Sequence, residues 1–207
     1  MEGTKSGSRR KYANILSVLL LVSLVAVGSA SVYVFYYATT TATVKSPDLQ
    51  LYAGSDSTTS CTTYPCTTVS VSNNDQATVS LSLFPSVGGS PPAAATYYTN
   101  LTVIKNSGTA SHTISSIKVT SVTGGTNLGT ITVYYCTTQT EFNPDGTPVT
   151  ACTASGSITS GTTTLTILSS PTTIGAGAIQ YIELVGYAAS GAAAGSTVSF
   201  NLAIQWS

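Results

Sequence analysis

Apolar and polar residues alternate with a period of two through most of the chain after residue 47, the signature of strands with one buried face. The run 196–206 is the clearest case, with Val198, Phe200, Leu202, Ile204 and Trp206 on one face. The same alternation predicts strands over 48–53, over 67–72 with Val69 and Val71 inward, and over 78–84 with Val79, Leu81 and Leu83 inward. It continues over 97–105 through Tyr97, Thr99, Leu101 and Val103, and over 127–136 through Leu128, Ile131, Val133 and Tyr135. Between these, 114–122 carries Ile114, Ile117, Val119 and Val122, and the slip of period after Ile114 predicts a bulge at Ser115-Ser116. With 162–168 and 178–187 the count reaches about nine strands. The expected fold is all-β, a jelly-roll-like two-sheet sandwich over residues 45–207.

Turn chemistry separates these runs: Asn73-Asn74-Asp75, Asn106-Ser107-Gly108, Gly124-Gly125 and Asn143-Pro144-Asp145-Gly146. Residues 85–95, with Gly88-Gly89 and Pro91-Pro92, predict a long irregular connection.

The front of the chain follows another pattern. Residues 13–38 carry no charge, and Lys5, Arg9, Arg10 and Lys11 precede them. A basic n-region, an apolar core over 15–27 and the small residues Gly28-Ser29-Ala30 predict a signal peptide over 1–30, cut between Ala30 and Ser31. The alternative is a retained hydrophobic helix, since 26 uncharged residues exceed the roughly 20 that cross a bilayer. The basic cluster would then stay cytoplasmic, and this segment would be the chain's one contact with a membrane. Cleavage would expose Val32, Tyr33, Val34, Phe35, Tyr36 and Tyr37, a strand with no hairpin partner beside it. Val32, Val34 and Tyr36 point one way and Tyr33, Phe35 and Tyr37 the other, so at least one face needs an apolar groove.

Charge narrows the function classes. Four of the seven basic residues precede residue 12, which leaves Lys45, Lys105 and Lys118 against Asp48, Asp56, Asp75, Glu141, Asp145 and Glu183. The exported part is therefore at 3 minus 6, or −3, without the clustered Lys and Arg that neutralise nucleic-acid phosphates. Thr and Ser make up roughly a third of the chain, a composition that favours strands over helices.

Four cysteines behind an export signal predict two bridges formed in an oxidising compartment. Three connectivities exist, and proximity along the chain selects Cys61 with Cys66 and Cys136 with Cys152. Neither spacing is that of a zinc site. His112 is the only histidine, and the chain holds no nucleophile elbow, His-Glu-x-x-His pair or phosphate loop, so neither an enzyme nor a cofactor is expected. Glu183 interrupts the apolar run Tyr181-Ile182-Glu183-Leu184-Val185, and ordinary alternation predicts that it faces solvent. A buried carboxylate near Lys105 would be the alternative, as in internal isopeptide bonds. Asn100-Leu101-Thr102 is an N-glycosylation sequon, with Asn100 and Thr102 expected to point outward.

Three stretches together resemble the TasA and camelysin family of secreted fibre proteins and its archaeal relatives, the bundling pili and thread filaments. They are the post-signal segment leading into 42–49, the strand and turn over 101–110 with Asn106-Ser107-Gly108, and the closing strand 198–206 ending Gln205-Trp206. The resemblance implies a jelly-roll subunit of a secreted, cell-surface filament, a head-to-tail homopolymer. It makes residues 31–44 a donor strand and linker, with Val32 to Tyr37 filling the groove of the next subunit. Two other readings remain open, a membrane-anchored monomeric binding module and a type IV pilin-like subunit that retains its hydrophobic helix.

Overall fold

The computed structural model describes residues 47–61, 65–72, 74–83, 95–193 and 195–207, all within the unit Lys45–Ser207. The signal helix, the Ala30–Ser31 junction, the donor strand and most of the 85–95 connection lie outside the described residues. In chain order the strands are β1 (Leu49–Ala53), β2 (Cys66–Ser72), β3 (Gln76–Ser82), β4 (Thr96–Asn106), β5 (His112–Thr123) and β6 (Leu128–Cys136). They continue with β7 (Ala154–Thr159), β8 (Thr164–Leu168), β9 (Thr172–Ile174), β10 (Ile179–Ala188) and β11 (Thr197–Trp206). All pair antiparallel, in two sheets. One sheet runs β1-β4-β10-β6-β7; the other runs β2-β3-β11-β5-β8, with β9 also on β5.

The alternating residues fill the space between the sheets. Leu49, Leu51, Ile104, Ile182, Leu184, Ile131, Val133 and Tyr135 come from the first, and Val79, Leu81, Ile114, Ile117, Val119, Phe200 and Leu202 from the second. Each such side chain contributes about 1.5 to 3 kcal/mol on burial, so the pattern that predicts the strands also supplies the energy that pairs the sheets. Tyr135 is held at its polar end as well, because its hydroxyl donates to Gln180 Oε1.

The described residues form eleven strands against the nine expected, the additions being β7 and β9. In β7, Ala154-Ser155-Gly156-Ser157-Ile158-Thr159, only Ile158 is a large apolar residue, and β9 is three residues long. Neither offers an alternation to read. The bulge in β5 is present, because Gln205 pairs with Ser116 and Trp206 with Ile114, which leaves Ser115 extra.

The expected phase of β4 is corrected. Tyr97 is exposed, Thr99 and Val103 are half-buried, and the inward set is Tyr98, Leu101, Thr102 and Ile104. The cause is an irregularity opposite Glu183. Ile182 pairs with Thr102 and Leu184 with Tyr98, so three β4 residues span one residue of β10 and the phase is lost across them. Asp56 holds this bulge, its Oδ2 accepting the N–H groups of Thr99 (2.8 Å) and Asn100 (3.0 Å).

Candidate functional site

Two regions of the domain carry features beyond packing. The first is the rim where the sheets end. β2 is the terminal strand of its sheet, and among the described residues the bridge along its outer edge is made by Thr58, which pairs with Thr68 and donates its N–H to Thr67 O (2.8 Å), with Cys61 bonded to Cys66 at its start. Val69 and Val71 face the core from this edge and are half-buried. β1 is terminal in the facing sheet, and Leu51 N–H reaches Asn74 O at the β2–β3 turn (2.7 Å). Asn74 there adopts a positive φ of 63°, as the Asn-Asn-Asp turn requires.

The second region lies on the outer face of the five-stranded sheet. Alternation does send Glu183 to that face, but the segment 137–153 folds back over it and leaves Glu183 with no exposed surface. The expectation of a solvent-facing Glu183 is therefore wrong. The covering segment is a small hairpin. Phe142 bridges to Pro148, Val149 N–H donates to Glu141 O (2.8 Å), and Asn143-Pro144-Asp145-Gly146 turns the chain with Gly146 at φ 85°. Two tyrosines of the sheet hold its tip, since Tyr97 donates to Pro144 O (3.0 Å) and Tyr134 to Gly146 O (3.1 Å). Their rings pack on Phe142 at 5.9 and 5.4 Å. The Cys136–Cys152 disulfide clips its base.

Under this lid the Glu183 carboxyl receives one hydrogen bond, from Thr140 N–H to Oε1 (2.8 Å), while Oε2 is buried without a partner. Desolvation pushes its pKa up to about 7; the Thr140 bond opposes this and the Asp56 charge reinforces it. Burial, with Asp56, likewise pushes Tyr98 up to about 12, and burial with the Asp145 charge raises Tyr134. One Glu183 carboxyl oxygen and the sulfurs of Cys136 and Cys152 all lie within 4.8 Å of one another. The sulfurs are bonded to each other, which withdraws the thiolates a cation would need. Lys105 sits opposite Ile179, four residues along β10 from Glu183, so the carboxylate is not beside that lysine as an internal isopeptide bond between a lysine and an asparagine would need.

The remaining sequence-singled residues are placed as follows. Cys61 pairs with Cys66, with Cα atoms 5.7 Å apart, and Cys136 with Cys152 at 4.3 Å, the pairing that proximity selects. Two bridges suit an oxidising compartment. No described helix is long and apolar enough to cross a membrane. Asn100 lies in the β4 bulge, with its carboxamide oxygen buried over Gly54, where an added Cβ would come within 2.5 Å of it. Thr102 is fully buried, so the expected outward Asn100 and Thr102 pair is corrected by the same loss of phase. His112 lies against the edge of Trp206 (4.8 Å), with Nε2 3.5 Å from Asp48 Oδ2.

Sequence reasoning missed Asp56 and the Thr140 amide, because neither belongs to a periodic run. It also missed the buried Asn106, whose Nδ2 donates to Ala110, Ile174 and Gly175 carbonyls at 2.8, 3.2 and 2.9 Å and whose Oδ1 accepts Gly108 N–H at 2.9 Å. The sequence matches no protein-family model and no curated protein.

Proposed function

We propose that this chain is the subunit of an extracellular cell-surface filament, a TasA-like fibre or archaeal pilus, joined by donation of residues 31–44 to the next subunit. The observation that supports the reading is the rim at β2, an edge that among the described residues is bridged only at Thr58, with Val69 and Val71 half-buried beneath it. An added strand would pair with that edge and cover both valines. Residues 31–37 have the right composition, since Val32, Val34 and Tyr36 supply alternating apolar side chains on one face. Burying these three would contribute on the order of 5 to 9 kcal/mol before ordering costs. Backbone pairing adds about 0.5 to 1.5 kcal/mol per bond. A contact between the front of one copy and the rim of another is head-to-tail and does not close, so it propagates as a fibre.

A glycan on Asn100 belongs to the same reading, and the burial of Thr102 requires that it be added before the sheet closes. Unmodified Asn100 in peptides from native filaments would remove that part alone.

Deletion of residues 31–40 is expected to leave a folded monomer, which residues 31–40 supplied as a free peptide stabilise. Val69→Asp is expected to abolish the same contact from the other side. Electron microscopy of filaments with unchanged morphology from the deletion protein would overturn the donor-strand reading. A mature chain that keeps residues 19–24 would instead favour the anchored module or the pilin-like subunit.

A further inference from the structure

We propose that the Cys136–Cys152 bridge is a thiol-exchange site, in which a small thiol attacks Cys152 from a surface groove and Glu183 protonates the departing Cys136 sulfur. This stands apart from the filament reading, and neither depends on the other. Three observations converge on it. A groove of about 350 Å³ is lined by Tyr134 of β6, Pro148 of the lid, residues 151–153 with Cys152 among them, and Ala154 and Ser155 of β7. Cys152 lines that groove and is half-buried, whereas Cys136 is buried and contributes nothing to the lining. One oxygen of the Glu183 carboxyl, a group whose Oε2 has no hydrogen-bond partner among the described residues, stands within 4.8 Å of both sulfurs, in a domain otherwise poor in acid–base groups.

Disulfide exchange needs an attacking thiolate, access to one sulfur and a leaving sulfur that can carry or lose its charge. The groove supplies access to Cys152 only. As the thiolate sulfur bonds to Cys152 Sγ, the Cys152–Cys136 bond breaks and its electron pair passes to Cys136 Sγ. That thiolate forms inside a buried site, where an unprotonated anion is costly. The Glu183 proton neutralises it, and the carboxylate that results keeps its Thr140 N–H bond. A second thiolate then attacks the mixed disulfide at the small-thiol sulfur. It releases the oxidised small thiol as its own disulfide and leaves Cys152 reduced, a two-electron exchange overall. Run backwards, the same carboxylate takes the Cys136 proton as the bridge closes during oxidative folding.

The titratable groups around Glu183 agree with a carboxyl still partly protonated at neutral pH. Asp56, from the segment between β1 and β2, adds negative charge, and Tyr98 on β4 and Tyr134 on β6 stay neutral, both raised by burial. Among the described residues no comparable acid gathers at Cys61–Cys66. That bridge is therefore an internal control.

The test treats the native full-length protein with glutathione between about pH 5.5 and 8.5, spanning the Glu183 ionisation near 7, with alkylation and peptide mapping of both bridges. Thiolate supply falls equally for both bridges and cancels in the ratio of their rates. The ratio of Cys136–Cys152 to Cys61–Cys66 reduction is expected to rise about tenfold towards the acid end, below the roughly hundredfold or more usual for general-acid catalysis because a thiolate is already a fair leaving group. The glutathione adduct should map to Cys152. Glu183→Gln should flatten the ratio and slow Cys136–Cys152 reduction; mere loosening of the lid would speed it. A pH-independent ratio in the native protein, or an adduct on Cys136, overturns the proposal even if the variant does not fold.

Discussion

Asn106 and Glu183 are both polar, both without exposed surface and both on the five-stranded sheet, yet they are treated in opposite ways. Asn106 ends β4, and its carboxamide makes four hydrogen bonds that tie the turn after β4 to the chain after β9. Gly108 can close on this network because it lacks a Cβ, which would come within 2.5 Å of Asp48 Oδ2. Glu183 has one bond and one orphaned oxygen. A neutral amide matched to its partners is a lock, and removing it leaves them unsatisfied. A carboxyl that is only half satisfied keeps its proton and remains available for chemistry. Burial alone therefore does not tell the two apart; the count of partners does.

The sharpest way to break this contrast is at the lock. Asn106→Ala strips the partner from Gly108 N–H and from three carbonyls, and is expected to cost about 3 to 4 kcal/mol, read from urea unfolding. Asn106→Asp should be at least as harmful, because it sets an acceptor against three carbonyl oxygens. Removal of the clip beside Glu183 comes next. Cys136→Ala with Cys152→Ala opens a loop of sequence separation 16, and the chain-entropy model gives about 3 kcal/mol. Hydrogen exchange should then increase at Thr140 and Val149 while Gly108 keeps its protection.

How far these regions could be read in advance follows from what each rests on. Core residues such as Val133, Phe200 and Leu202 sit in long alternating runs, and their burial follows from period alone. The disulfide pairs follow from short separations. Glu183 defeats the same logic, because alternation decides which face a side chain takes and says nothing of what covers that face. Its lid is built from Thr140, Phe142 and the Asn143-Pro144-Asp145-Gly146 turn, which are legible as a turn and not as a cover. Thr102 fails for another reason. The bulge that inverts its phase is held by Asp56, more than forty residues away in the chain, and no local signal announces it. The Asn106 turn, in contrast, is visible as Asn106-Ser107-Gly108, although its reach to Ile174 and Gly175 is not.

The carboxyl itself gives the third test. Glu183 ionises at about 7 in the folded protein against an ordinary 4.5, so the unfolded chain loses its proton first as pH rises. Its contribution to stability is complete below about pH 4.5 and is lost as pH climbs through 7, on the order of 3 kcal/mol across that interval. Glu183→Gln cannot ionise and should remove this slope from a plot of unfolding free energy against pH. A slope identical in the two proteins would mean that the lid admits water to the carboxylate.

The smallest effect separates the lid from the acid it covers. Thr140 does two jobs: its N–H holds Glu183 Oε1, and its Oγ1 accepts Thr150 N–H (2.8 Å), tying the two arms of the hairpin together. Thr140→Val preserves the shape and the backbone donor while deleting the acceptor. The Thr150 amide then loses its partner in a half-buried position, a loss of about 1 kcal/mol. Because Asp56, Tyr134 and the bridge are untouched, the pH slope assigned to Glu183 should persist, offset downward by that amount. Amide exchange at Thr150 should quicken while Thr140 itself changes little. If the slope flattens along with the loss of stability, the hydroxyl rather than the amide and the burial is what governs Glu183, and the lid and its acid form one unit instead of two.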